Sequence, residues 1–221
     1  MDRYIIPSVL LIALLGAVGL WLLTPDQPQE TSSRLPWQTG LDARGRLRVF
    51  GFTLGVTTLA DVQQSVGERG RINLFVTAGE DDPFTAEAFF QRIYLDGLRG
   101  DFIFTLAVSD DQLAAMHGRG LRIARLGSGA QKVTLAPEDA DTLRRAPIAY
   151  LTYLPMARLQ PELIERRFGP PAERLAEPHG VIHWLYPERG IDIARDPQGK
   201  TVIQYVNPAA FSRLREPLAP P

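Results

Sequence analysis

The sequence has no cysteine, only two lysines and almost no net charge. Without cysteine, the chain of 221 residues has no disulfide framework, no thiol nucleophile and no lipid-attachment site. A formal net charge of −1 gives no overall positive field, which argues against nucleic acid as a partner. The basic residues are 22 arginines besides Lys132 and Lys200. This bias fits phosphate or carboxylate recognition, and it equally fits a GC-rich genome.

The overall composition is that of a folded protein, with 45% hydrophobic and 22% charged residues. These fractions exclude collagen-like and mostly disordered classes. The hydrophobic residues are unevenly spread, however, because no charge occurs between Tyr4 and Leu23. The remainder, about 185 residues, is long enough to bury a core without metal or disulfide.

The uncharged run Tyr4–Leu23 predicts a transmembrane anchor, because about 20 apolar residues cross a bilayer as a helix. Pro7 falls in the first turn, where it is tolerated, and Trp21 falls where an indole meets the headgroups. A cleaved signal peptide is the alternative. The small residues of Ala17-Val18-Gly19 suit cleavage, but four large apolar residues follow them.

The charges around this run predict its orientation. Arg3 precedes it, whereas Asp26 and Glu30 follow it, so the positive-inside rule places the N-terminus in the cytoplasm. The rest of the chain is then periplasmic, attached to a bacterial inner membrane. We expect a flexible linker over residues 24–40, a domain over 41–211 and a frayed tail over 212–221.

The domain is expected to have an α+β fold, in which an antiparallel sheet is packed by short helices. Capping signals predict helices from Thr58 to Gly67, from Ser109 and from Pro137, and apolar spacing predicts another at Leu159–Phe168. Alternation and turn residues predict strands. These are Arg46–Thr53, Ile72–Thr77, Ala88–Leu95, Asp101–Val108, Leu121–Leu126, Gln131–Leu135, Ile148–Leu154, Val181–Tyr186, Ile191–Arg195 and Thr201–Val206.

The first and second halves of the domain are expected to have the same order of elements. In each half, a short helix that ends at a glycine is followed by strands. Three positions match at a constant offset of 102 residues, namely Val62, Val66 and Gly67 over Ile164, Phe168 and Gly169. This spacing leaves two alternatives open: an internal duplication with halves 46–126 and 131–211, or two ordinary α+β units.

Several segments carry a family resemblance. Phe168-Gly-Pro-Pro, His183-Trp-Leu-Tyr and Asp196-Pro-Gln-Gly-Lys resemble the SmpA/OmlA (BamE-like) module of bacterial envelope lipoproteins, and Leu54-Gly-Val-Thr resembles its helix start. A tandem arrangement of related units occurs in the beta-lactamase-inhibitor protein. The resemblance implies a protein–protein interaction fold, usually without catalysis. The chain differs from these lipoproteins because it has no cysteine for lipidation.

The candidate partner-binding residues are Trp184, Tyr186 and His183. Trp184 and Tyr186 share a strand face with Ile182. They either pack in the core or form an open docking patch, since both side chains supply large contact areas. His183 is expected to be a partly exposed strand residue. Its spacing from His179 suits zinc only on a helix, because four residues along a strand span about 13 Å.

No catalytic, cofactor-binding or metal-binding residue is predicted. Gly127-Ser-Gly-Ala-Gln-Lys132 lacks the Ser or Thr and the helix of a phosphate loop, so it indicates a hairpin turn. The acidic run Glu80-Asp81-Asp82 lacks the EF-hand pattern and indicates a solvated loop. We therefore expect no cofactor.

The expected function is that of a non-catalytic interaction or assembly factor of the cell envelope. Its partners would be another envelope protein and, through residues 4–23, the lipid bilayer. One alternative is a periplasmic hydrolase that uses His183 or His117 with an acidic neighbour in a deep pocket. Another is a small-ligand or lipid-binding domain with a large apolar cavity.

Overall fold

The structure, a computed structural model, describes residues 34–77 and 84–218. All described elements belong to one unit, Ser33–Pro221. The helices are α1 Leu59–Val66, α2 Asp110–Gly118, α3 Pro137–Arg144, α4 Pro161–Phe168 and α5 Ser212–Arg215. The strands are β1 Gly40–Leu41, β2 Leu47–Val49, β3 Phe52–Thr53, β4 Arg71–Val76, β5 Phe84–Leu95, β6 Leu98–Leu106, β7 Arg122–Arg125, β8 Gln131–Thr134, β9 Ile148–Pro155, β10 Glu173–Ala176, β11 Ile182–Tyr186, β12 Ile191–Arg195 and β13 Thr201–Tyr205.

Ten strands form one large sheet in the order β10-β11-β12-β13-β9-β6-β5-β4-β8-β7. Every neighbouring pair in this sheet is antiparallel. The short strands β1, β2 and β3 form a separate small sheet. The prediction of an α+β fold with an antiparallel sheet and short helices is therefore confirmed.

The main core lies on one face of the large sheet, which we call the covered face. Helices α1 to α4 and the small sheet contribute buried side chains to it. Phe50, which joins β2 to β3, contacts three rings at centroid distances of 5.1, 5.1 and 5.9 Å, those of Phe102, Tyr153 and Tyr205. Because strand side chains alternate between faces, the covered face takes every second residue of each strand.

Local sequence signals account for several elements. The hydroxyl of Thr58 accepts from the amide of Asp61, and the Asp61 carboxylate accepts from the amide of Thr58, so the predicted capping box of α1 is present. The predicted hairpin of β5 and β6 turns at Asp96 and Gly97, whose φ angles are 44° and 85°. Positive φ at both turn residues matches the right-handed twist of the strands.

Two elements differ from expectation. The predicted strand Arg46–Thr53 is divided into β2 and β3, because Phe50 and Gly51 have φ angles of 53° and 81° and reverse the chain. Strand β10 was not predicted. It follows the proline-rich turn after α4 and forms the edge of the sheet beside β11.

The domain begins before residue 41, within the segment expected to be linker. Tyr205 donates from its hydroxyl to the carbonyl of Pro36 over 2.9 Å. The guanidinium of Arg189 donates to the carbonyls of Trp37 and Phe168 over 2.9 and 2.6 Å. The Trp37 ring also packs edge-on against Phe168. These contacts fix residues 36 and 37 to the core.

The domain also extends beyond residue 211, into the segment expected to be a frayed tail. Phe211 is only 5% exposed and packs with Leu185 and Val206, and Leu214 and Leu218 join this second, smaller cluster. The two leucines lie in α5 and in the 3₁₀ turn that follows. Burial of these apolar side chains holds the described part of the segment against the domain.

Among the described residues, no helix has the length and apolar character needed to cross a membrane. The predicted anchor, residues 4–23, lies outside the described residues, as does the greater part of the predicted linker. The acidic run Glu80-Asp81-Asp82 lies outside them as well.

Candidate functional site

Trp184 and Tyr186 are core residues. Each is 5% exposed, and both belong to the cluster on the covered face. The Arg174 guanidinium lies 4.7 Å from the Trp184 ring centroid, and the Tyr186 hydroxyl donates to the carbonyl of Gly169. Burial raises the pKa of Tyr186 to about 12. Of the two alternatives for these residues, the structure shows core packing and not an open patch, because their shared face is the one that the helices cover.

His183 is buried rather than partly exposed. Its side chain points to the second face of the sheet, where Nδ1 lies 2.9 Å from Oδ2 of Asp192. Its Nε2 lies 3.3 Å from a carboxylate oxygen of Glu177. The hydrogen bond with Asp192 raises the pKa of His183, and burial of the ring opposes this shift.

The pair of His183 and Asp192 does not form an accessible catalytic site. His183 is 7% exposed and Asp192 1% exposed. Neither side chain lines the pockets of about 330, 260 and 340 Å³ that lie among the described residues. General acid–base catalysis requires the base to reach a substrate proton. The geometry therefore favours a structural role for this pair.

The other histidines add no catalytic or metal-binding arrangement. The His117 ring packs 5.7 Å from the Phe84 ring, and its Nε2 is buried without a partner among the described residues. His179 lies in the turn before β11 and is exposed. Within residues 34–77 and 84–218, no group of three or more metal-ligating side chains comes together.

No element within residues 34–77 and 84–218 covers the second face of the sheet over its central strands. Here the strands present half-buried side chains that alternate with the fully buried ones of the covered face. We call this surface the open face. It comprises Phe75 on β4, Glu87 and Phe89 on β5, Ile103 and Thr105 on β6, and Thr152 on β9.

Strand register orders these side chains into rows. Arg71, Phe89, Ile103, Thr152 and Gln204 lie directly opposite one another on five neighbouring strands. The apolar members of this row are Phe89 on β5 and Ile103 on β6, Arg71 on β4 is its cation, and the β13 end carries an uncharged polar group. Side chains directly opposite on antiparallel strands lie close enough to pack together. The row is therefore one continuous surface with its apolar side chains toward the β4 end.

A shallow pocket of about 260 Å³ lies at this apolar end. The Arg71 guanidinium lies 5.2 Å from the Phe89 ring centroid, which places one cation over its rim. The pocket is lined by Arg71, Asn73, Phe75, Glu87, Phe89, Ile103 and Lys132.

Glu87 is the acidic residue of this pocket. It lies directly opposite Asn73 on β4 and Thr105 on β6. It forms no hydrogen bond or ion pair with any other residue that the structure describes. Burial raises the pKa of the Glu87 carboxyl, because the charged form loses hydration without gaining a cation. A docked group that donates to this carboxylate would relieve that cost.

The C-terminal segment limits the open face on one side. Phe211, Leu214 and Leu218 cover the second face where Leu185 emerges from β11, and Arg215 pairs with Glu173 of β10 over 3.1 Å. The second face is therefore closed at the β10–β12 end, and Tyr150 of β9 packs against the same cluster. Among the described residues, the open face extends from the Thr152 side of β9 to β4.

Sequence reasoning missed the open face, although its alternation is visible in the sequence. Phe102 and Phe104 alternate with Ile103 and Thr105, and both sets contain apolar residues. Periodicity shows that two faces exist, but it does not show which face the helices cover. The only signal in the sequence for which face is buried was side-chain size, because Phe102 and Phe104 are larger than Ile103 and Thr105.

Comparisons with protein-family models, with curated proteins and with solved structures find no match to this chain. The resemblance to the SmpA/OmlA module stays a prediction, and no function is transferred from a relative.

Proposed function

We propose that this protein is a non-catalytic interaction or assembly factor of the cell envelope, and that it binds another envelope protein on the open face. The observation that carries this proposal is the uncovered second face of the central strands, where Phe75, Phe89 and Ile103 surround the unpaired carboxylate of Glu87.

The chemistry of the open face fits a protein partner. Contiguous apolar surface on a monomer marks an interaction site, and aromatic side chains supply much of the binding energy at such sites. The shallow pocket suits a protruding side chain better than an enclosed small ligand. Glu87 specifies that this side chain donates hydrogen bonds, as a lysine or arginine does, since the partner then satisfies a half-buried acceptor.

The sequence supports a membrane-anchored location for this surface. The uncharged run at residues 4–23 with Arg3 before it favours a single span with the N-terminus in the cytoplasm and the domain in the periplasm. The bilayer is thus the second partner. The segment that follows the run carries three prolines before residue 37, and this composition suits a spacer between membrane and domain.

The proposal also includes an internal duplication. In the first half, α1 is followed by β4, β5 and β6, and in the second, α4 is followed by β10 to β13. Both sets of strands are antiparallel meanders that meet at β9 in the centre of the sheet. This order of helix and meander supports a tandem arrangement with the halves 46–126 and 131–211, although β8 of the second half pairs with β4 and β7 of the first.

The test is site-specific photo-crosslinking of the full chain in intact cells. A photoreactive residue at Ile103 on the open face is expected to form a reproducible adduct with one envelope protein. The same residue at the exposed position Glu162 on α4 is the matched control and should not form it. Equal adducts from both positions, or none from Ile103, would refute the proposal.

The affinity is then measured by titrating the purified partner protein with the full chain and its variants. Phe89→Ala is expected to weaken binding at least about tenfold, because it removes a central aromatic anchor. Glu87→Gln is expected to weaken it less, and Glu162→Ala should leave it unchanged. Unchanged affinity in Phe89→Ala would show that the partner binds elsewhere.

A further inference from the structure

The two edges of the large sheet differ in how their side chains are used. On edge strand β10, Glu173 pairs with Arg215, and Arg174 pairs with Glu165 and covers the Trp184 ring. On edge strand β7, Arg122 and Arg125 form no hydrogen bond or ion pair with any residue of the described ranges. Among the described residues, the two arginines of the β7 edge therefore have no partner.

The β7 edge is also the most apolar exposed segment of the described chain. Leu121, Ile123 and Leu126 are 67%, 50% and 38% exposed. They are three of the eight large apolar side chains that are exposed in the part of the chain the structure describes, and they fall within six residues. Exposed apolar clusters of this kind mark interaction sites.

The backbone of β7 has hydrogen-bonding groups free for a further strand. Leu126 donates its amide to the carbonyl of Ala130 over 2.8 Å, beside the β7–β8 ladder. In an antiparallel pair, successive residues alternate between bonding the neighbouring strand and pointing away from it. The amides and carbonyls of Ile123 and Arg125 therefore point away from β8, toward the outside of the sheet.

Charge decides what can occupy this edge. In an antiparallel self-pair of β7, Arg122 and Arg125 of both copies would lie along one seam, and this concentration of like charge is destabilising. Lys132, opposite Ala124 on β8, adds a third positive charge nearby. An extended chain with apolar residues at alternate positions and carboxylates at its ends would satisfy both the arginines and the free backbone groups.

We propose that β7 binds an extended acidic segment of another protein, which adds to the sheet as a further antiparallel or parallel strand. The main-chain hydrogen bonds of Ile123 and Arg125 align the segment. Ile123 supplies apolar contact, and Arg122 and Arg125 select for carboxylates. Lys132 also lines the pocket of the open face, but Arg122, Ile123 and Arg125 do not, so the two proposals are tested by different substitutions.

The test uses the full chain in mild detergent and a defined probe, the fluorescent peptide acetyl-Asp-Val-Thr-Val-Glu-Val-Thr-Val-Asp-amide. A matched peptide carries lysine at each acidic position. The acidic peptide is expected to bind at least about tenfold more tightly than the basic one. At saturation, the amides of Ile123 and Arg125 should exchange with solvent more slowly, which charge attraction alone does not produce.

Four variants, two of them controls, separate the parts of the proposal. The double variant Arg122→Glu with Arg125→Glu is expected to reverse the preference between the peptides, whereas Arg44→Glu with Arg166→Glu, an equal charge change elsewhere, should not. Ile123→Pro removes one outward amide and is tolerated at an edge. It should weaken acidic-peptide binding at least about tenfold. Ile103→Ser on the open face should leave that binding unchanged.

Equal binding of both peptides, no binding at millimolar concentration, or unchanged amide exchange at Ile123 and Arg125 would overturn the proposal. Sedimentation that shows a dimer abolished by Ile123→Pro would replace the acidic segment with a second copy of the chain. If Ile123→Pro fails to fold, amide exchange in the unmodified chain decides the question.

Discussion

The two ends of the large sheet have the same strand pattern and different surroundings. At the β10–β12 end, helices cover one face, the C-terminal segment covers the other, and ion pairs occupy the edge strand. At the β4–β7 end, only one face is covered, and the edge strand carries arginines without partners among the described residues. The difference shows that burial on the second face depends on the C-terminal segment, which lies outside the strands that it covers.

This contrast has a consequence for stability and binding. The closed end has two sets of buried contacts, so its side chains chiefly hold the fold together. The open end leaves half-buried aromatic and charged groups without intramolecular partners, so substitutions there are expected to affect binding more than folding.

The largest expected effect is the difference in stability loss between a residue of the covered face and its neighbour on the open face. Phe90→Ala should lower the free energy of unfolding by about 3–5 kcal/mol, because Phe90 is 1% exposed and contacts Phe104 in the core. Its neighbour Phe89 points to the open face, and Phe89→Ala should cost only about 1 kcal/mol or less. Urea denaturation of both variants gives the comparison. Similar losses in the two variants would mean that the second face is not open.

A somewhat smaller loss of stability is expected when a buried side chain of the C-terminal segment is removed at the closed end. Phe211→Ala should cost about 3 kcal/mol, because it leaves a cavity against Leu185 and Val206. The exposed neighbour Ser212→Ala is the control and should change the free energy of unfolding by less than about 0.5 kcal/mol. A Phe211→Ala variant as stable as the control would show that Phe211 does not pack against Leu185 and Val206.

The smallest expected effect is a pH dependence at the closed end. The pKa of His183 is raised above its ordinary value of 6.5 by the hydrogen bond to Asp192. A raised pKa in the folded state favours the protonated form, so this stabilisation is complete below about pH 6.5 and is lost as the pH rises through the raised pKa. The unmodified chain should therefore lose stability as the pH rises above about 6.5. The variant His183→Gln should not show this loss.

Urea denaturation at pH 6 and pH 8.5 measures this difference. An NMR titration adds a direct comparison of His183 with His179, which is exposed and lies four positions away. Identical pH dependence in the unmodified chain and in His183→Gln would contradict the assigned role of the pair with Asp192.

Much of the fold follows from local sequence signals. The capping residues Thr58 and Asp61 and the turn at Asp96 and Gly97 define their elements through contacts within a few residues. Predicted strands such as Ile191–Arg195 agree with the structure to the residue. The error at Arg46–Thr53 arises because the chain reversal at Phe50 depends on packing against the distant Phe102. Strand β10 was missed because it depends on pairing with β11.

Much less of the candidate site was predictable. The sequence correctly indicated that Trp184 and Tyr186 share a face, but the covering of that face depends on helices more than a dozen residues away. The pairing of His183 with Asp192 depends on the register of β11 against β12, which the sequence does not specify.

The sequence by itself determined the local elements, the antiparallel α+β class and the prediction of an apolar anchor, because these depend on neighbouring residues. Only the tertiary structure decided where the domain begins and ends and which surfaces stay open. Tyr205 binds the Pro36 carbonyl across 169 positions, and Phe211 closes over Leu185 of β11. Contacts between distant parts of the chain decide burial, and burial decides which polar and aromatic groups remain for a partner.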